Sequence, residues 1–332
     1  MSRFRHTLYL ALMCGVVATT TGLAMQGAPA QPGQNRAQTP RPAAGSSPEV
    51  GILPVQGKVY LINLGDVNVT AQVGDEGILL VDSGPAEMAD KLIAALQRRF
   101  EGKRIRQLVN THAHPDHSGG NGAIVRASGG GGGGGRGGGG GGGLRIIAHE
   151  NTFNRMSGAV DGEKERPLDE RPTSTFMGEK KEIHFNGEPI EILYQPAAHT
   201  DGDVMVFFRG SDVISAGGVF ATDRYPEIDA QRGGTMQGTL DALNRILDIT
   251  IPKFNEQGGT RVIPGQGRLC NESDVDDYRN WMTIVKDRVQ AMIKKGMTLQ
   301  QVRRPSRRST TTACSPRRAT PPTCSSRPCT RI

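Results

Sequence analysis

The sequence predicts an α/β fold built from two sheets covered by outer helices. Two observations carry this. Short β-rich runs separated by Gly/Asp turns recur in both halves of the chain, and each half also contains an amphipathic helix. Val59–Ile62, Val67–Val73 and Gly77–Val81 read as a meander of strands. Pro85 then opens a helix whose Met88, Leu92, Leu96 and Phe100 recur at four-residue spacing. Ile105–Val109 and Leu144–Ala148 read as further strands. In the second half, Ile183–Phe185, Ile190–Tyr194, Val204–Phe208, Val213–Ile214 and Val262–Ile263 are strand candidates. Leu240, Leu243, Ile246 and Leu247 mark a helix. Ser273 and Asp276 give a capping-box signal before a long helix striped by Val275, Tyr278, Met282, Val285, Val289 and Met292.

The whole chain has 332 residues and a net charge of +7, which taken alone points to an anionic partner. The distribution removes that reading. Residues 303–332 hold eight arginines and residues 1–47 hold four, with no acid in either stretch. The remaining 28 basic residues share the middle with all 33 acids, a net of −5. A nucleic-acid-binding face on the folded part is therefore not expected. The cysteines divide in the same way. Of the five, only Cys270 lies between residues 48 and 302, so neither a disulfide framework nor a thiolate zinc site is expected there.

The N-terminus reads as a signal peptide over residues 1–30. Arg3 and Arg5 precede an uncharged apolar run from Leu8 to Leu23, and Ala28-Pro29-Ala30 offers a cleavage site. An uncleaved anchor is the alternative, although the run is short for a span. The expected destination is the periplasm or the exterior, with no stable membrane insertion beyond the signal segment. Residues 31–47, rich in Pro, Gln and Ala, read as a disordered linker. The domain proper is expected over 48–302. It is interrupted at 129–143 by seven glycines, Arg136 and seven more glycines. That tract lacks the Lys-Ser/Thr of a phosphate loop and reads as a flexible insertion. Residues 303–332 are poor in large apolar side chains and are expected to be disordered. Their abrupt onset after Val302 fits an out-of-frame tail, which resequencing the locus would test.

The chemistry is concentrated in Asn110-Thr111-His112-Ala113-His114-Pro115-Asp116-His117. Two histidines at i and i+2 of an extended segment point to the same side and can converge on one ion. Asp116 and His117 can face a second position. Imidazole and carboxylate without thiolate suit Zn²⁺ or a similar divalent metal. His149 and His184 read as structural or exposed. Arg224 and Tyr225 read as loop residues that could line a mouth, and Trp281 as a packing residue of the last long helix.

HxHxDH, preceded by Leu80-Val81-Asp82-Ser83-Gly84 and followed by Ala198-His199-Thr200-Asp201-Gly202-Asp203, resembles the metallo-β-lactamase-fold hydrolase superfamily over roughly residues 50–300. The resemblance implies a four-layer αββα sandwich with a metal site at one edge. It implies His112, His114 and His199 as ligands of a first zinc, and Asp116 and His117 as ligands of a second. Asp116 would also be catalytic, orienting the attacking water. Asp82 is read either as support for a ligand histidine or as a turn-capping aspartate. Two positions depart from the family pattern. Gly218 stands where an Asp or Cys ligand is usual, and Gln266 stands in the histidine position of a Pro-Gly-His-Gly turn. One zinc is therefore expected, with the second site weakened. The function implied is an exported zinc-dependent hydrolase that uses metal-activated hydroxide on the carbonyl of a small molecule: a β-lactam, lactone, ester or thioester. The alternative is a metal-binding relative with impaired catalysis. Nothing in the sequence fixes an oligomeric state.

Overall fold

The computed structural model describes residues 50–129, 143–222, 224–252 and 258–303. The leader, the linker, most of the glycine tract and nearly all of the C-terminal tail lie outside the described residues.

The first sheet contains β1 (Gly51–Gln56), β2 (Val59–Asn63), β3 (Asn68–Gly74), β4 (Gly77–Val81), β5 (Ile105–Val109), β6 (Arg145–His149) and β7 (Ser174–Phe176), in sequential order. β1 to β4 form an antiparallel meander, and β4 to β7 run parallel. Parallel neighbours need crossovers. These are supplied by α1 (Ala89–Arg99) with α2 (Pro115–Ser118), α3 (Asn121–Ala127) and α4 (Glu150–Met156). The second sheet contains β8 (Lys180–Phe185), β9 (Glu188–Tyr194), β10 (Val204–Phe208), β11 (Val213–Ser215), β12 (Arg261–Ile263) and β13 (Cys270–Asn271). It carries α5 (Met236–Ile249) and α6 (Glu272–Lys294), and α7 (Leu299–Arg303) follows.

Strand alternation decides the layers. In β4, Leu79 and Val81 face the second sheet, while Ile78 and Leu80 face the outer helices. In β10, Val204, Val206 and Phe208 turn inward, and Met205 turns toward α5 and α6. Three apolar layers follow. The middle one joins Leu61, Leu79, Val109 and Ile147 to Ile190, Ile192, Val206 and Phe208 between the sheets. The outer ones bury Leu92, Leu96 and Ile124 on one side, and Leu243, Ile246, Val275 and Met282 on the other. This is an αββα sandwich. Each large aliphatic buried there contributes about 1.5–3 kcal/mol.

Several elements differ from the expectation. β1, β7 and β13 were not anticipated, nor were the short helices α2, α3 and α4. α6 is capped by Asn271, whose side chain accepts from Asp274 N–H while the Asp274 carboxylate accepts from Asn271 N–H. The capping box is thus Asn271/Asp274 and not Ser273/Asp276. Burial of the α6 stripe stops at Met282, and Val289 is exposed. His184 is exposed on β8. His149 closes β6, and its ring accepts from Asn151 N–H at the start of α4. Among the described residues no helix is long and apolar enough to cross a membrane.

Candidate metal centre

The carboxyl ends of β4, β5, β11 and β12 come together at one edge of the sandwich, where open α/β sheets place their ligands. β5 delivers the 110–117 segment. The loop after β9 brings in His199. The ligand-capable atoms of His112, His114 and His199 all lie within 4.8 Å of one another, as do those of His112, Asp116 and His117. His112, His117 and His199 are buried, and His114 is half-buried.

The hydrogen bonds around these rings set which nitrogens face inward. The His199 Nδ1–H donates to Glu227 O at 2.7 Å, which turns Nε2 toward His114 Nδ1, 2.8 Å away. His114 Nε2 lies 2.9 Å from Asp229 Oδ2 and donates to it. Thr111 has one hydroxyl proton, which it donates to Asp82 Oδ2 at 2.8 Å, so it accepts from His112 Nδ1 at 3.0 Å. His112 Nε2 is then bare, buried and without a hydrogen-bond partner. Three imidazole lone pairs therefore converge with no proton between them. A buried, unpaired nitrogen is costly unless something else satisfies it. Three imidazoles and no thiolate are a donor set for a divalent metal, and this cluster is able to bind one.

The electrostatics favour the neutral form of His112 and His199. Burial holds His112 well below the usual histidine range, and His117, His199 and His114 add to that effect. Burial also lowers His199, against the pull of Glu227 O. His117 behaves differently. Burial alone would depress it, but the charge of Asp82 and its hydrogen bond outweigh burial and raise it. Asp82 adopts a positive φ of 65° at the end of β4. It accepts from Thr111 N–H at 2.8 Å and from His117 Nδ1 at 2.7 Å. Asp116 is the more exposed partner, with its Oδ2 3.7 Å from His117 Nε2.

A model of the metallo-beta-lactamase superfamily matches residues 62–259. The chain belongs to this superfamily. A curated relative, 2,4-dinitroanisole O-demethylase subunit alpha from Nocardioides sp. (strain JS1661), is 27% identical over 172 residues, covering 51% of this chain and 46% of its own. The chain therefore spans less than half the length of that relative. Among solved structures, a metallo-beta-lactamase from Pontibacter korlensis aligns with a TM-score of 0.52 at 15% identity, over 70% of this chain and 99% of the other. The stereoselective inverting sec-alkylsulfatase Pisa1 from Pseudomonas sp. aligns with a TM-score of 0.56 at 17% identity, over 76% of this chain and 44% of the other. At such identities the two structures speak for the fold.

The two positions where this member departs from the superfamily pattern also have a place in the geometry. Gly218 sits directly behind the first site. A Cβ there would lie 2.7 Å from His199 Cδ2 and 2.9 Å from His112 Cε1, so an aspartate enters only if those rings move. Gln266 lines the cavity beside Asp116 and His117, where it offers a neutral amide. The second half-site keeps Asp116 and His117 as its charged and imidazole groups.

Sequence reasoning missed several residues that shape the site, Glu227 among them. Thr111 ties the His112 ring to Asp82. Asp229, which holds His114, is itself held by Arg232 at 2.8 Å. Burial of Asp229 is overcome by the Arg232 and His114 hydrogen bonds, which bring it down to about 2. Asp203 is buried, with Oδ1 unpartnered, and burial pushes it up to about 8 despite the Thr200 N–H that it accepts.

Proposed function

We propose that this superfamily member is an exported, zinc-dependent hydrolase acting on the carbonyl of a small molecule. One observation carries the reading: three inward-facing imidazole lone pairs, each fixed by a bond at its other ring nitrogen. When bound, a zinc ion supplies acidified water and an electrophile for the carbonyl oxygen. His112, His114 and His199 would hold it and leave one open position, as catalytic zinc sites do. Asp116, a half-exposed carboxylate beside His117, would orient water or take its proton. Asp82 keeps the His117 ring turned toward the same space. Gly218 and Gln266 support a single tightly held ion.

The N-terminal signal pattern supports export to the periplasm or beyond. The net charge of −5 between residues 48 and 302 argues for a small-molecule substrate over nucleic acid. The β-lactam, lactone, ester and thioester classes all present the required carbonyl. The names of the three relatives point to three different reactions, so the substrate must be read from this chain's own cavity. A metal-binding relative with impaired turnover is the second reading, favoured by Gly218 and Gln266.

Elemental analysis of the purified protein should find close to one zinc per chain, and His112→Ala should lose both metal and turnover. A chromogenic β-lactam run beside lactone, ester and thioester substrates defines the class. Two tightly held zincs would contradict the one-ion reading. Zinc-loaded protein inactive on every substrate would leave the impaired reading.

A further inference from the structure

The cavity beside the histidines has an aromatic wall that the proposed hydrolytic chemistry does not use. Phe220, Tyr225 and Tyr278 line it together with Asp116, His117 and His199. Behind them the rings form a continuous ladder. Phe220 meets Tyr278 edge-on at 5.2 Å, Tyr278 lies 6.0 Å from Trp281, and Trp281 lies 5.2 Å from Tyr225. Phe220 and Tyr278 are almost wholly buried, while Tyr225 is 50% exposed. The ladder therefore ends in one presented ring at the mouth.

The position of that ring is fixed from the metal side. Tyr225 stands two residues before Glu227, whose carbonyl orients His199, and four before Asp229, which orients His114. One short segment thus pins two ligand histidines and carries the exposed ring. An exposed aromatic packed at a tilt against Trp281, with further rings behind it, is an apolar platform with little entropy left to lose. We infer that the exposed ring of Tyr225, backed by this wall, binds an aryl group of the substrate at the mouth, with Tyr225 as the specificity-determining residue. This rests on the hydrolase reading for the reaction, but not for the binding. A flat ring seated on Tyr225 gains offset-stacking or edge-on contact that an alkyl chain of similar length lacks.

Trp281 is the only tryptophan of the chain and stands within the ladder, so it reports on occupancy directly. Phenylacetamide titrated into the metal-free, full-length protein should change Trp281 fluorescence saturably, whereas hexanamide, an alkyl chain of similar length, should change it far less. Tyr225→Ala should weaken that binding roughly 10-fold, and Tyr225→Phe should retain it. In the zinc-loaded enzyme, methyl phenylacetate should show a lower KM than methyl hexanoate. Tyr225→Ala should raise the aryl KM roughly 10-fold, with a much smaller effect on kcat. A Trp281 response identical for the two amides, or one untouched by Tyr225→Ala, overturns the inference. Turnover without aryl preference overturns it as well and leaves the hydrolase reading standing. A phenyl-specific response without any turnover sinks the hydrolase reading alone.

Discussion

At the residue scale, the site works through hydrogen bonds on the far side of each ring. A ligand histidine is useful only if the correct nitrogen is bare, and that is decided by what its other nitrogen meets. Thr111, Asp229 and Glu227 O make that choice for His112, His114 and His199 in turn. Removing one of these partners should cost metal affinity with little effect on the fold. Asp229→Ala should lower zinc affinity about 10- to 100-fold by chelator competition, and Asp229→Asn, which keeps an acceptor, should lose less. An affinity unchanged in Asp229→Ala would remove its role. His112, His114, Asp116 and His117 were legible because β5 delivers them within one six-residue block. His199 was legible only through the family resemblance. Asp229 was not legible, since it reaches His114 across 115 positions and no local period marks it.

At the element scale, the loops after β6 and β11 are tied together by charge. Glu163 bonds Arg232 at 2.6 Å and Arg155 at 3.1 Å, while Arg155 also grips Asp201 at 2.7 Å through two nitrogens. The Arg232 hydrogen bond leads in holding the Glu163 carboxyl below its ordinary range, with burial opposing it and Arg155 adding to it. The sign of the pH dependence follows. A depressed folded pKa contributes stability that is fully present above the unfolded value of about 4.3. That stability is lost as pH falls through the lower folded value. Glu163→Gln should therefore destabilise by about 1–2 kcal/mol at pH 7, allowing for the partial exposure of Arg232. In urea unfolding series the gap to the parent should close as the pH is lowered toward 3; a gap of constant size would refute the ionic origin. The long strands and the helices α1, α5 and α6 were readable because each packs one periodic face. β1, β7 and β13 were not. β1 is a largely exposed edge containing Pro54 and an exposed Leu53, and β7 and β13 have three and two residues. Such short or edge pairings are made by tertiary contact and leave no alternation to read. The apparent α6 stripe failed past Met282 for the complementary reason: the spacing continues, but the partner surface ends.

At the scale of the whole molecule, the site is a seam. His112 and His114 follow β5 of the first sheet, and His199 follows β9 of the second. The αββα architecture was legible from β-rich runs in both halves and from the histidine block. Overall composition misled, because the basicity and four of the five cysteines belong to terminal stretches that lie outside the described residues. The seam makes a prediction about stability. An ion shared by loops from both sheets binds the folded arrangement and has no equivalent in the unfolded chain, so it adds RT ln(1 + [L]/Kd) to stability. At free zinc 100-fold above Kd this is about 2.7 kcal/mol. For a domain of this size that corresponds to a rise in Tm of roughly 5–10 °C. Chelation should lower the transition by that amount, and zinc should restore it. His199→Ala leaves two ligands from the first sheet and none from the second. Its Tm should become nearly insensitive to chelator, even though His112 and His114 can still hold zinc loosely. A parent protein whose Tm ignores chelation would show that the three histidines do not share an ion. A His199→Ala variant that keeps the full shift would instead place the ion on the first sheet alone.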